Sequence, residues 1–208
     1  MMKTSELFEK EIALIKNSHI KEIVRRTLDL APEAIQTVPA SSSGKYHPAY
    51  ALGECGLVRH IKATVYIAKS LMETDIYTKF FKSGIVSISR EMNDDATYAA
   101  LILHDCCKPD DTPEHYTRFN HPILASELLQ SVADKYIKEL NIAVSQKHEI
   151  KWQIERIANA IASHMGQWNT SKYSDIILPT PNTNLEWFVH TCDYLASRRF
   201  LEVDFDKV

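Results

Sequence analysis

The sequence predicts an all-α fold, a single helical bundle with no sheet. Two observations carry the prediction. Segment after segment places apolar residues at steps of three and four, the period of a helix buried along one face. The 208 residues hold only 5 glycines and 8 prolines, too few for the dense turns of an all-β chain. A third observation gives the bundle a centre. The apolar run Ala99-Ala100-Leu101-Ile102-Leu103 ends abruptly in His104-Asp105, with Lys108 three residues after the aspartate. Such a run reads as a buried helix, and a histidine and an aspartate buried at its end are costly without a partner.

The elements follow in order. Residues 5–30 carry two amphipathic patterns broken near Asn17-Ser18: Leu7, Ile12, Leu14 and Ile15 serve the first, and Ile20, Ile23, Val24 and Leu28 the second. Residues 1–37 are read as a helical cap on a core spanning 38–202, within one domain of 1–208. Residues 31–56 form a loop punctuated by Pro32, Pro39, Gly44, Pro48, Gly53 and Gly56, and it contains the aromatic run Tyr46-His47-Pro48-Ala49-Tyr50. A helix over 57–72 is predicted from Leu57, Ile61, Val65, Ala68 and Met72, with His60 beside that stripe and facing inward. Tyr77, Phe80 and Phe81 predict a short helix, 84–89 a short strand or extended loop, and a further helix starts near Asp95. Residues 106–120 are polar. Asn120 is placed as the cap of the next helix and Pro122 in its first turn, so His121 stands at a helix N-terminus. Ile150, Ile154, Ile157 and Ile161 step by four, three and four, and His164 continues the stripe. Gly166 ends that helix. A polar loop over 167–183 precedes a last helix over 185–201, in which Val189, Asp193, Ala196 and Phe200 share one face.

Composition narrows the function classes. The chain is 45% apolar and 25% charged with a net charge of −3, so no bulk basic field points to duplex nucleic acid. No apolar stretch reaches the length of a membrane span, and no signal-peptide core is visible. Cys55, Cys106, Cys107 and Cys192 lack paired CxxC spacing and read as reduced thiols, which places the protein in the cytoplasm. The sequence does not set the oligomeric state.

Predicted helix faces bring His60, His104 with Asp105, His121, His164 and Asp193 toward one core. No lysine or arginine on the same faces compensates them. A His/Asp set of this size suits one or two divalent transition metals: Fe, Mn, Zn, Co or Ni. His19, His115, His148 and His190 lack an inward pattern and are left out of the set. Tyr50 and Trp168 are read as rim or core packing rather than as stacking platforms for a base.

The order His60 … His104-Asp105 … Asp193 resembles the metal signature of the HD-domain phosphohydrolase superfamily, over roughly residues 38–202. His104-Asp105-Cys106-Cys107-Lys108 is similar to the HDxxK variant of its two-metal branches, and His121-Pro122 and His164 fall where those branches place further histidines. Pro39-Ala40, Tyr46-His47-Pro48-Ala49-Tyr50 and Gly56-Leu57-Val58-Arg59-His60 resemble the run PA…HHAYxGGLxxHT of HD-type 3′–5′ exoribonucleases of Gram-positive bacteria, as does Asp193-Tyr194-Leu195-Ala196-Ser197-Arg198. Two departures stand out. Glu54-Cys55-Gly56 replaces the paired glycines, and Ile61 replaces the threonine after the first histidine.

The resemblance implies a single HD-domain bundle in which His60, His104, Asp105 and Asp193 hold one metal. Asp105 bridges to a second metal held by His121 and His164. It also implies cleavage of a phosphoester bond in a nucleotide or short oligonucleotide by hydroxide generated between the metals. Asp105 and Lys108 are the candidate catalytic residues, with Lys108 and Arg118 as candidate phosphate ligands. The alternatives are a dinucleoside polyphosphate hydrolase and a non-catalytic metal-bound module that senses a nucleotide.

Overall fold

A computed structural model of the chain describes residues 3–41, 43–81, 88–109 and 117–200, without the side chains of residues 76, 79 and 80. Its helices are α1 (Glu9–Ala13), α2 (Ser18–Leu30), α3 (Gly56–Met72), α4 (Asp75–Phe81), α5 (Arg90–Leu103), α6 (His121–Glu139), α7 (Val144–Ser163) and α8 (Asn184–Ala196). Short 3₁₀ turns at Thr4–Phe8, Glu33–Gln36, Ala49–Ala51 and Gly166–Trp168 join them. No strand occurs among the described residues, so the all-α prediction holds. No described helix is long and apolar enough to cross a membrane. The side chain of Phe80, the segment 84–87, the polar residues 110–116 (with His115) and Leu201 lie outside what is described.

α5 is the axis of the bundle. Ala99, Ala100, Leu101, Ile102 and Leu103 are all fully buried, as expected of a helix that is apolar on every side. Its neighbours are α3, α7, α8 and α2, while α6 lies along α7 and α3 against α8. The N-terminal segment docks on this axis through backbone groups. Asp95, inside α5, accepts the N–H of Lys16 at 2.7 Å and of Asn17 at 2.8 Å. Asn17 in turn caps α2 by accepting from His19 and Ile20. The break read at Asn17-Ser18 is therefore the point at which the cap is tied to the core. Phe8, Ile12, Ile15, Ile20, Ile23, Val24 and Leu28 are buried, whereas Leu7 and Leu14 pack at its edge.

Two boundaries and one cap differ from the sequence reading. α5 starts at Arg90 rather than near Asp95, because Ser89 caps it by accepting the Met92 N–H at 3.2 Å. Its polar first turn hides it from a hydrophobic pattern. Asn120 precedes α6 as expected, but its side chain makes no capping bond, and its carbonyl accepts from Ile123 at 3.0 Å instead. α8 ends at Ala196, short of 201. The Ser197 hydroxyl donates back to Tyr194 O at 2.8 Å, and the Arg199 N–H leaves the helical ladder for Tyr46 O at 2.9 Å. Phe200 is consequently 72% exposed and not on the buried face.

The loop before α3 is fixed from below. Arg59 on α3 donates to the carbonyl oxygens of Tyr50, Leu52 and Glu54. A Cβ on Gly56 would lie 2.3 Å from Ala51 O, so only glycine fits there. Cys55, where the resembling exoribonuclease run carries a glycine, takes the left-handed conformation at φ 57°, a strained position for a residue with a side chain.

Candidate metal centre

The inward polar groups meet where α5 ends. His104 is the C-cap of α5 and His164 the C-cap of α7. His121 opens α6, His60 lies in the second turn of α3, and Asp193 in the last turn of α8. His60, His104, Asp105, His121 and His164 are at most 1% exposed, and the Asp193 side chain is 18% exposed. His60 Nε2 is 3.0 Å from Asp193 Oδ1 and 3.6 Å from Asp105 Oδ2. His104 Nε2 is 3.6 Å from each of the same two oxygens. On the other side of Asp105, its Oδ1 is 2.9 Å from His121 Nε2 and 3.6 Å from His164 Nε2. Asp105 thus faces histidines with both oxygens.

Second-layer hydrogen bonds decide what these rings present. Nδ1 of His104 lies 2.7 Å from Leu101 O, that of His121 2.6 Å from Arg118 O, and that of His164 2.8 Å from Ile161 O. A carbonyl only accepts, so each Nδ1 carries the proton, and in the neutral ring each Nε2 is a bare lone pair. His121 Nε2 and His164 Nε2 then stand 3.3 Å apart, with the Asp105 carboxylate beside them. Such an array is repulsive unless a cation lies within it. His104 Nε2 and Asp105 Oδ1 have no hydrogen-bond partner among the described residues, which is uncommon for buried polar atoms. His60, His104 and Asp193 offer ligand atoms within 4.8 Å of one another, and so do His104, Asp105 and His164. Neutral imidazoles held by second-layer bonds, together with carboxylates, form a donor set that fits a divalent transition metal.

A family model for the HD domain matches residues 57–198, more than half of the chain. The chain belongs to the HD-domain family. That superfamily comprises metal-dependent phosphohydrolases, and its members bind divalent metals. No curated protein and no solved structure matched this chain.

Electrostatics in this HD domain divide by residue. Burial holds Asp105 back from ionising, but Lys108, with its Nζ 2.6 Å away, and His104 outweigh it, so the carboxyl stays well below the usual range. Asp193 is also well below that range, burial being overcome by His104 and His60. Burial lowers His60, and it lowers His121 to about 4 despite Asp105. His104 is buried too, yet Asp105 and Asp193 raise it.

Two residues outside the predicted set belong to the neighbourhood of the site. His47 places its ring 5.4 Å from that of His60, and its buried Nδ1 has no partner among the described residues. Burial, then the charges of His60 and Lys108, push it down to about 4. Its sequence signals were its place in the aromatic run 46–50 and in the stretch that resembles the exoribonuclease run. His190, read as lacking an inward pattern, is 6% exposed, and its Nδ1 donates to His164 O at 2.7 Å. It stands three residues before Asp193, on a neighbouring part of the same helix face. Gly166, at φ 57°, leaves the room for it: a Cβ there would sit 2.3 Å from the His190 ring. Arg118 supplies the carbonyl that orients His121. Tyr50 is structural, with its hydroxyl donating to Ala196 O at 2.9 Å.

Proposed function

We propose that this HD domain hydrolyses a phosphoester bond in a nucleotide or short oligonucleotide, using one or two divalent transition metals. The observation that carries the reading is the pair of backbone-tied imidazoles, His121 and His164, whose Nε2 atoms face each other at 3.3 Å beside Asp105. His60, His104 and Asp193 would hold one ion and His121 and His164 the other, with Asp105 shared between them. When bound, the metal supplies the Lewis acidity that makes hydroxide available near neutral pH and offsets charge on the phosphate oxygens. Lys108 keeps Asp105 ionised, and its ammonium is the first candidate phosphate ligand. Arg118 is the second candidate phosphate ligand. The likeness of residues 39–60 to an exoribonuclease run supports a nucleotide substrate, and the unpaired cysteine spacing supports a cytoplasmic setting.

Metal analysis of protein purified without chelator tests the first half of the proposal, with one to two ions per chain expected. Less than about one ion per chain would retire it. Turnover of bis-p-nitrophenyl phosphate and of nucleotides tests the second half. Asp105→Asn should lower that turnover by at least about a thousandfold and release metal.

A further inference from the structure

Beside the metal centre, the loop before α3 and the C-terminal end of α8 enclose a pocket of about 380 Å³, lined by Lys45, Tyr46, Tyr194, Arg198, Arg199 and Phe200. Contacts lead from it to the centre: the Arg198 guanidinium lies over Trp168, whose ring is 6.0 Å from that of His190, and His190 donates to His164 O. Two lining residues also neighbour the site in sequence. Tyr46 precedes His47, and Tyr194 follows Asp193. Two hydrogen bonds hold its walls together, from Arg199 N–H to Tyr46 O and from the Tyr50 hydroxyl to Ala196 O.

Its chemistry combines flat aromatic faces with positive charge that no described carboxylate pairs. Trp168 stacks on Tyr194 with centroids 5.6 Å apart and planes 10° apart. Tyr46 and Trp168 are 54% and 42% exposed. The Arg198 guanidinium lies 4.0 Å from the Tyr194 centroid, 5.1 Å from Trp168 and 5.8 Å from Tyr46. Its Nε is buried without a hydrogen-bond partner among the described residues. None of Lys45, Arg198 and Arg199 has a carboxylate within ion-pair distance among those residues. A free phosphate would leave the rings unused, and an apolar ligand would leave three cations unused. A nucleotide uses both, by base stacking on the rings and by phosphate contact with the cations. The volume lies in the range of small-ligand pockets.

We propose that this pocket holds a second nucleotide of the substrate, joined through the scissile phosphate to the part at the metal centre. The inference rests on the phosphohydrolase reading and names its substrate class: a molecule with two nucleotide units rather than a free mononucleotide. In the reaction, water oxygen bonds to phosphorus as the P–O bond to the leaving unit breaks. Water supplies the proton for the leaving oxygen, so no other reactant is needed.

The test is equilibrium binding to the metal-loaded protein by calorimetry. The probes are a non-hydrolysable phosphorothioate dinucleotide, a dinucleoside polyphosphate analogue and the matching mononucleotide. Either two-unit probe should bind at least about tenfold tighter than the mononucleotide, and which one does identifies the linkage. Trp168→Ala and Arg198→Gln should erase that gain. The exposed substitutions Lys45→Glu and Arg199→Glu should do so without a risk to folding. Equal affinities in the unaltered protein, or a gain that survives all four substitutions, would overturn the subsite. Turnover of bis-p-nitrophenyl phosphate reports separately on the hydrolase reading. Turnover without a two-unit preference retires the subsite alone, and the preference without turnover retires the hydrolase alone.

Discussion

The histidines of the buried cluster are held in two different ways. On the side built by α5, α6 and α7, the Nδ1 of His104, His121 and His164 is tied to the carbonyl of the residue three positions earlier. On the side built by α3 and the loop before it, His60 and His47 have a buried Nδ1 without a partner among the described residues. His60 is instead positioned through its Nε2, at Asp193. On the first side the backbone fixes ring orientation and tautomer before any ligand arrives. On the second, a carboxylate sets the ring, and its geometry changes with whatever engages that carboxylate. Preorganisation here is a property of single rings rather than of the whole cluster.

The strongest way to break this comparison is to remove rings from each side. His121→Ala or His164→Ala should lower metal content by about one ion per chain and activity by at least about a hundredfold. His60→Ala should lose the other ion and keep the one at His121 and His164. Loss of the same metal in all three variants, read by elemental analysis, would erase the division. A smaller effect is expected from chelation. Stripping the metal leaves facing lone pairs uncompensated, so melting should fall by about 5–10 °C when the ion was present at about a hundred times its Kd.

The pH dependence of the chelated protein sharpens the contrast further. His47 and His121 are lowered to about 4 and His60 is lowered as well, all chiefly by burial. Between the ordinary imidazole value of about 6.5 and about 4, the unfolded chain binds protons that these folded rings refuse. Stability should therefore fall as pH drops through that window. His104, raised by its carboxylates, works in the opposite sense: its contribution is present at low pH and lost as pH rises. Three lowered rings outweigh one raised ring, so melting at pH 5 should lie below melting at pH 7.5. His47→Phe should flatten the slope, and an unchanged slope would remove His47 from the account. The smallest effect is local. Cys55→Gly should stabilise the protein by about 0.5–1 kcal/mol in a denaturant titration, by relieving the left-handed residue that precedes α3.

Much of the cluster was legible in the sequence because helical periodicity encodes direction. Once Leu57, Ile61 and Val65 mark the buried stripe of α3, the angle of His60 follows. The same holds for His164 after Ile154, Ile157 and Ile161, and for Asp193 beside Val189. The structure brings all six residues of that set together. Periodicity fails where the chain is not helical or where a helix opens on polar residues. The loop that carries His47 is anchored by Arg59 reaching the carbonyls of Tyr50, Leu52 and Glu54, contacts that no local pattern announces. The start of α5 was hidden by Arg90-Glu91, and the end of α8 by a backbone bond to Tyr46, far away in sequence. By itself the sequence determined the all-α class, the buried axis ending in His104-Asp105 and the faces that carry the other polar groups, because these depend on residue spacing along single helices. Only the tertiary structure decided which nitrogen each histidine presents, because that rests on hydrogen bonds to single carbonyls at helix ends that residue spacing does not encode, and that cations and aromatic rings gather beside the centre, because that depends on contacts between segments distant in the chain.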